Sequence, residues 1–112
     1  MPSLEDLLQV KGAMAAIRYY DDGSLAEAVG DLGEQDADLA AEMCNATGRI
    51  MHQEADLFAA YSGMGGWTPP EGWGMRGSRL GVWSVGNIAC FVDIGEVSYN
   101  ELYRALSRIA HL

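Results

Sequence analysis

The stretch whose reading decides the fold is Glu34–Ser62, EQDADLAAEMCNATGRIMHQEADLFAAYS. Leu39, Met43, Thr47, Ile50, Leu57 and Tyr61 follow one another at three- and four-residue steps, with Glu54 in the place between Ile50 and Leu57. That period puts side chains on one face of a helix. Ala40, Cys44, Met51 and Phe58 widen the apolar stripe, while Asp38, Glu42, Asn45, Arg49, Gln53 and Asp56 form the wet side. Glu34, Asp36 and Asp38 crowd the first turns, where negative charge suits the positive end of the helix dipole. Gly63-Met64-Gly65-Gly66 stops the helix, and Trp67-Thr68-Pro69-Pro70 cannot continue it. Gly48, inside it, costs about 1 kcal/mol against alanine. A close helix–helix or helix–sheet approach is expected there.

Working outward, both flanks carry hairpin signals, so the helix needs a sheet to lie on. Ser3 is an N-cap with Asp6 three residues on, and Leu4, Leu7 and Leu8 line a short first helix that Gly12 stops. Ala13–Tyr20 reads as a strand, Asp21-Asp22-Gly23 as a tight turn, and Ser24–Val29 as the returning strand. Beyond the long helix, Trp73–Arg79 is a glycine-interrupted strand suited to a sheet edge, where Arg76 and Arg79 stay wet. Leu80–Val85 and Ile88–Ile94 flank Gly86-Asn87, a two-residue turn of the glycine-first kind. That register puts Trp83, Val85, Ile88, Cys90 and Val92 on one face, and Leu80, Val82, Ala89 and Phe91 on the other. Ser98 and Glu101 open a final helix with Tyr99, Leu102, Leu106 and Ile109 along one side.

Both sheet faces are apolar, so both need a cover. The expectation is an α+β (α/β) three-layer α-β-α sandwich with a five-stranded antiparallel sheet. Its order is α-β-β-α-β-β-β-α, with the long helix on one face and both terminal helices on the other. The 112 residues suit a single domain, 1–112, and the 49% hydrophobic content is that of a globular protein. A formal net charge of −9 with only seven Lys and Arg argues against nucleic acid and against anionic membranes. The same charge favours a partner with a basic patch. The N-terminal MPSLEDLLQVKG lacks the positive start of a secretory signal, and no apolar run reaches a membrane span. Two cysteines outside any CxxC pair make no disulfide framework. The chain reads as cytoplasmic.

Several residues invite chemistry. The glycines of Ser62–Trp67 follow a helix rather than open one, with no Gly-Lys-Ser/Thr, so they read as a helix stop and not a phosphate cradle. Cys44 is a candidate reactive thiol, although an ordinary buried small residue is the favoured reading of both it and Cys90. His52 and Asp56 lie one turn apart, but two ligands make a poor metal site, and His111 sits in the last turn of the chain. Trp67 and Trp73 bracket the Pro69-Pro70 turn, where they either anchor a partner or fold back over the core. No acid, base and nucleophile converge, so neither an enzyme nor a cofactor site is expected.

The element order, the Asp-Asp-Gly hairpin and the long central helix resemble the roadblock/dynein-light-chain superfamily and its profilin-like fold. SLEDLLQVKG, AEMCNA, SGMGGWTPPEGW and VGNIACFVD carry the likeness across nearly the whole chain, which resembles a small uncharacterised prokaryotic branch. The resemblance implies a non-enzymatic dimer in which central helices pair and third strands meet edge to edge. It also implies an adaptor or regulatory platform for another cytoplasmic protein, small Ras-like GTPases among them. On this chain the partner or dimer interface would take Glu42, Asn45, Arg49, His52, Gln53 and Asp56, with Trp67, Trp73 and Arg76 towards the strand edge. Two rivals stand beside it. One is a thiol-dependent carrier or redox protein of sulfur metabolism using Cys44. The other is a small-ligand sensor, against which Trp83, Phe91 and Phe58 are expected to fill the space by the sheet.

Overall fold

The computed structural model describes residues 2–110; His111 lies outside them. Five antiparallel strands pair in the order β2-β1-β5-β4-β3. They are β1 (Ala13–Tyr19), β2 (Leu25–Gly30), β3 (Gly72–Arg76), β4 (Leu80–Val85) and β5 (Ile88–Asp93). Helix α1 (Glu34–Ser62) covers one face, while a short 3-10 helix (Leu4–Gln9) and helix α2 (Tyr99–Ala110) cover the other. The expected three-layer sandwich is the observed one.

Local chemistry sets the turns. The Asp22 carboxylate accepts from the Ser24 backbone N–H at 2.9 Å and its hydroxyl at 2.6 Å, and Gly23 sits at φ +88°. Gly86 takes φ +60° at the head of the β4–β5 turn, as a glycine-first hairpin demands. Gly63 ends α1 in the left-handed region, its N–H donating to the Ala59 carbonyl at 3.1 Å. The bounds of α1 and β4 match the sequence reading. β3 ends at Arg76 rather than Arg79, because the Gly77 N–H closes a turn onto the Leu80 carbonyl at 2.7 Å. Its glycines also have a reason. A Cβ at Gly74 would overlap the indole of Trp83, its cross-strand partner.

The two faces are packed differently. On the terminal side Leu4, Leu7, Leu102, Leu106 and Ile109 are all buried against Ala16, Val85, Ile88, Cys90 and Val92. Each such aliphatic side chain contributes about 1.5–3 kcal/mol. On the other side α1 buries small residues, Ala37, Ala41, Cys44 and Ala55, of which Ala41 and Cys44 pack with Ile17, Tyr19, Val82 and Ala89. This corrects the expected orientation of the helix. Leu39, Ile50 and Leu57 are 55%, 53% and 52% exposed, and Met43 and Tyr61 are exposed as well. The small side chains face the sheet, and the bulky stripe, on another side of the same helix, is left outside that contact. Gly48 does face the sheet, yet a Cβ there would lie 3.9 Å from Trp73 Nε1, an ordinary contact. The approach is real but not tight.

One polar contact sits in this inner layer. Ser84, fully buried, donates its hydroxyl to the Ile88 carbonyl at 2.9 Å and accepts from the Tyr19 hydroxyl at 2.9 Å. Both side chains are thereby satisfied, as buried polar groups must be.

Candidate interaction surface

Helix α1 has three flanks. At 3.6 residues per turn, the bulky apolar flank (Leu39, Met43, Ile50, Leu57, Tyr61) lies roughly 150° around from the seated one. It points along the open side of the sheet. β3 ends the sheet, so one side of that strand has no neighbour, and Met75 and Leu80 are exposed beside it. A groove of about 200 Å³ runs between helix and strands, lined by Leu39, Met43, Trp73, Met75, Val82 and Phe91. A band of large apolar side chains, broken by Glu54, beside an unpaired strand edge is the kind of surface at which proteins associate.

The third flank carries the polar residues singled out from the sequence. Glu42, Arg49, His52, Gln53 and Asp56 are exposed; Asn45 is half-buried, its amide packed near Gly23. They form a ridge separate from the apolar flank. Arg76 is exposed and donates to the Tyr99 hydroxyl at 3.4 Å. The tryptophans part company. Trp73 is half-buried in the inner core. Trp67 folds back onto Phe58, ring centroids 4.7 Å apart at 21°, and stays 42% exposed. Phe58 therefore belongs to this outer stack and does not fill space at the sheet, a second correction. Trp83 and Phe91 do pack there.

The thiols sit where nucleophilic chemistry is suppressed. Burial pushes Cys44 up to about 11 and Cys90 up to about 12. A reactive thiol needs the opposite, a neighbouring cation or helix N-terminus that lowers its pKa. Cys44 has no such activating neighbour and packs as a small side chain on the sheet-facing side of α1. His52 and Asp56 share the exposed ridge, and among the described residues no three His, Cys, Asp or Glu side chains come together. No helix among them is long and apolar enough to cross a membrane.

The exposure of the bulky flank escaped the sequence reading because two stripes compete on one helix. The signal was present: Ala37, Ala41, Cys44, Gly48 and Ala55 repeat at the same spacing as the larger residues.

Comparison with known proteins agrees with this architecture. The family model described as "Uncharacterized conserved protein (DUF2173)" matches residues 3–108. The roadblock/LC7 domain from Streptomyces avermitilis superposes with TM-score 0.83 at 12% identity, over 96% of this chain and 88% of that one. The gliding protein MglB from Thermus thermophilus gives TM-score 0.74 at 17% identity, over 96% and 83%. MglB of Myxococcus xanthus gives 0.72 at 12%, over 96% and 83%. At these identities the likeness establishes the fold, which is of roadblock type. No curated protein matches the sequence.

Proposed function

We propose that this chain, which belongs to the DUF2173 family of uncharacterized conserved proteins, acts as a non-catalytic homodimeric platform for another cytoplasmic protein. The observation that carries the reading is the bare apolar flank of α1 beside the free edge of β3. A second copy covers both at once. Paired helices bury Leu39, Met43, Ile50 and Leu57, and paired β3 edges complete one sheet across two subunits. Self-complementary burial of this kind is what a two-fold interface requires.

With the apolar flanks together, the ridge of Glu42, Arg49, His52, Gln53 and Asp56 remains available to a heterologous partner. Small Ras-like GTPases are the partner class that the roadblock resemblance supports. The acidic balance of the chain, −9 overall, favours a partner face rich in Lys and Arg.

Sedimentation velocity tests the dimer. Wild type is expected to sediment as a dimer at micromolar concentration. Ile50→Asp should sediment as a monomer with unchanged far-ultraviolet circular dichroism. A wild-type monomer across the accessible range would end this reading. Charge reversal at Glu42 and Asp56 should then abolish capture of a partner while leaving the dimer whole.

A further inference from the structure

Around Ala55, the last buried residue of α1, the helix and its following loop border an open groove of about 650 Å³. Met51, Glu54 and Phe58 form one wall, and Trp67, Pro69 and Glu71 form the other. The floor is apolar and aromatic, with the stacked Phe58 and Trp67 rings both still about half exposed.

The charge in this groove has one sign. Glu54 and Glu71 are the only ionisable residues that line it. Neither carboxylate has a basic partner, since the ion pair present among the described residues joins Arg18 to Glu27. Helix α1 also has no basic residue in its last turn, so the negative end of its dipole stands uncompensated at this end of the molecule. Glu54 is the residue that interrupts the bulky apolar flank between Ile50 and Leu57.

Aromatic faces bordered by carboxylates stabilise a cation twice, through the ring quadrupole and through direct charge. A guanidinium fits best, because it stacks flat on an indole while donating in plane to a carboxylate. A neutral apolar occupant would strip water from both glutamates and return nothing. From this charge complementarity we infer that the groove receives an arginine-bearing segment of the partner protein. The inference rests on the platform reading above and names the chemistry of what the platform holds. The arginine lies over Trp67, and Glu54 and Glu71 take its donors. The two prolines keep the loop wall in place without help from the ligand.

The test is a titration of the full-length, isotope-labelled protein with a short Arg-Gly repeat peptide, with a Glu-Gly repeat as control. The Trp67 indole N–H and the backbone amides of Gly66, Trp67, Thr68, Glu71 and Gly72 report. Saturable shifts with the arginine peptide alone, weakening as salt rises, are expected. The E54Q/E71Q double variant should bind about five- to tenfold more weakly, the size expected from two partly exposed charge contacts. Trp67→Ala should lose binding by about tenfold. No shift at these sites, equal shifts with the acidic peptide, or unchanged affinity in E54Q/E71Q overturns the inference. So does a loss of self-association in E54Q/E71Q, which would make a second copy the occupant. Sedimentation of the same samples separates the two readings. A dimer that ignores the peptide sinks the groove alone, and a monomer that binds it sinks the dimer alone.

Discussion

The two faces of the sheet are finished to different degrees. Under the terminal helices, large aliphatic side chains meet large aliphatic side chains, and Leu4, Leu7, Leu102 and Leu106 are almost wholly hidden. Under α1, contact is made by alanines and a cysteine, and the larger residues of the same helix are left in solvent. The first face is completed by its own chain. The second provides just enough contact to seat a helix and keeps its bulkiest hydrophobic surface for something else. On the proposed reading, stability and recognition draw on different residues, even within one helix.

Leucine truncation on each side sharpens this contrast most strongly. Leu106→Ala should cost about 2–5 kcal/mol in urea unfolding, the range for a buried leucine. Leu57→Ala should stay within about 0.5 kcal/mol for dilute protein, as exposed sites do, while weakening self-association. Equal losses would break the comparison. The thiols report each face next. Cys44, pushed up to about 11, and Cys90, pushed up to about 12, should both resist iodoacetamide near neutral pH until the protein unfolds, with Cys44 the faster of the two in native protein. Two pKa units depress the thiolate population about a hundredfold. Smaller again, Tyr19→Phe removes the hydroxyl that Ser84 accepts from and should cost about 1 kcal/mol.

Gly48→Ala should stabilise by up to about 1 kcal/mol, because the added methyl meets Trp73 at an ordinary distance and helix propensity improves. A loss instead would mean that α1 is seated more tightly than its small residues suggest. The least effect concerns pH. Hydrogen bonds from Ser24 hold the Asp22 carboxyl below the usual aspartate value of about 3.9. A group depressed on folding adds stability above its unfolded pKa and loses it as pH falls through the folded one. Ser24→Ala should return the Asp22 midpoint upward in an NMR titration and slightly blunt the acid transition.

Much of this was legible in the chain. Gly63 and the prolines after it end α1 where expected, and Gly86-Asn87 sets the β4–β5 register that sorts Trp83 from Phe91. Such features are local, encoded in a few neighbouring residues. The seating of α1 was not legible. Two stripes with the same spacing run along it, and only the distance to a sheet built from remote segments decides which one is covered. The interface residues read from the polar side accordingly lie on a different flank from the exposed leucines. The Phe58–Trp67 stack joins residues across a helix end, where no periodic pattern runs, and Gly74 made sense only beside Trp83.

The length of α1 carries one more consequence. At 1.5 Å per residue, its 29 residues extend about 43 Å, well past what strands of five to seven residues can underlie. Beyond Ala55 the rod is a cantilever, buried nowhere and ending in glycines. Residues on such an overhang can be exchanged with little penalty to folding. Two related chains could therefore keep one scaffold and diverge sharply in whom they bind.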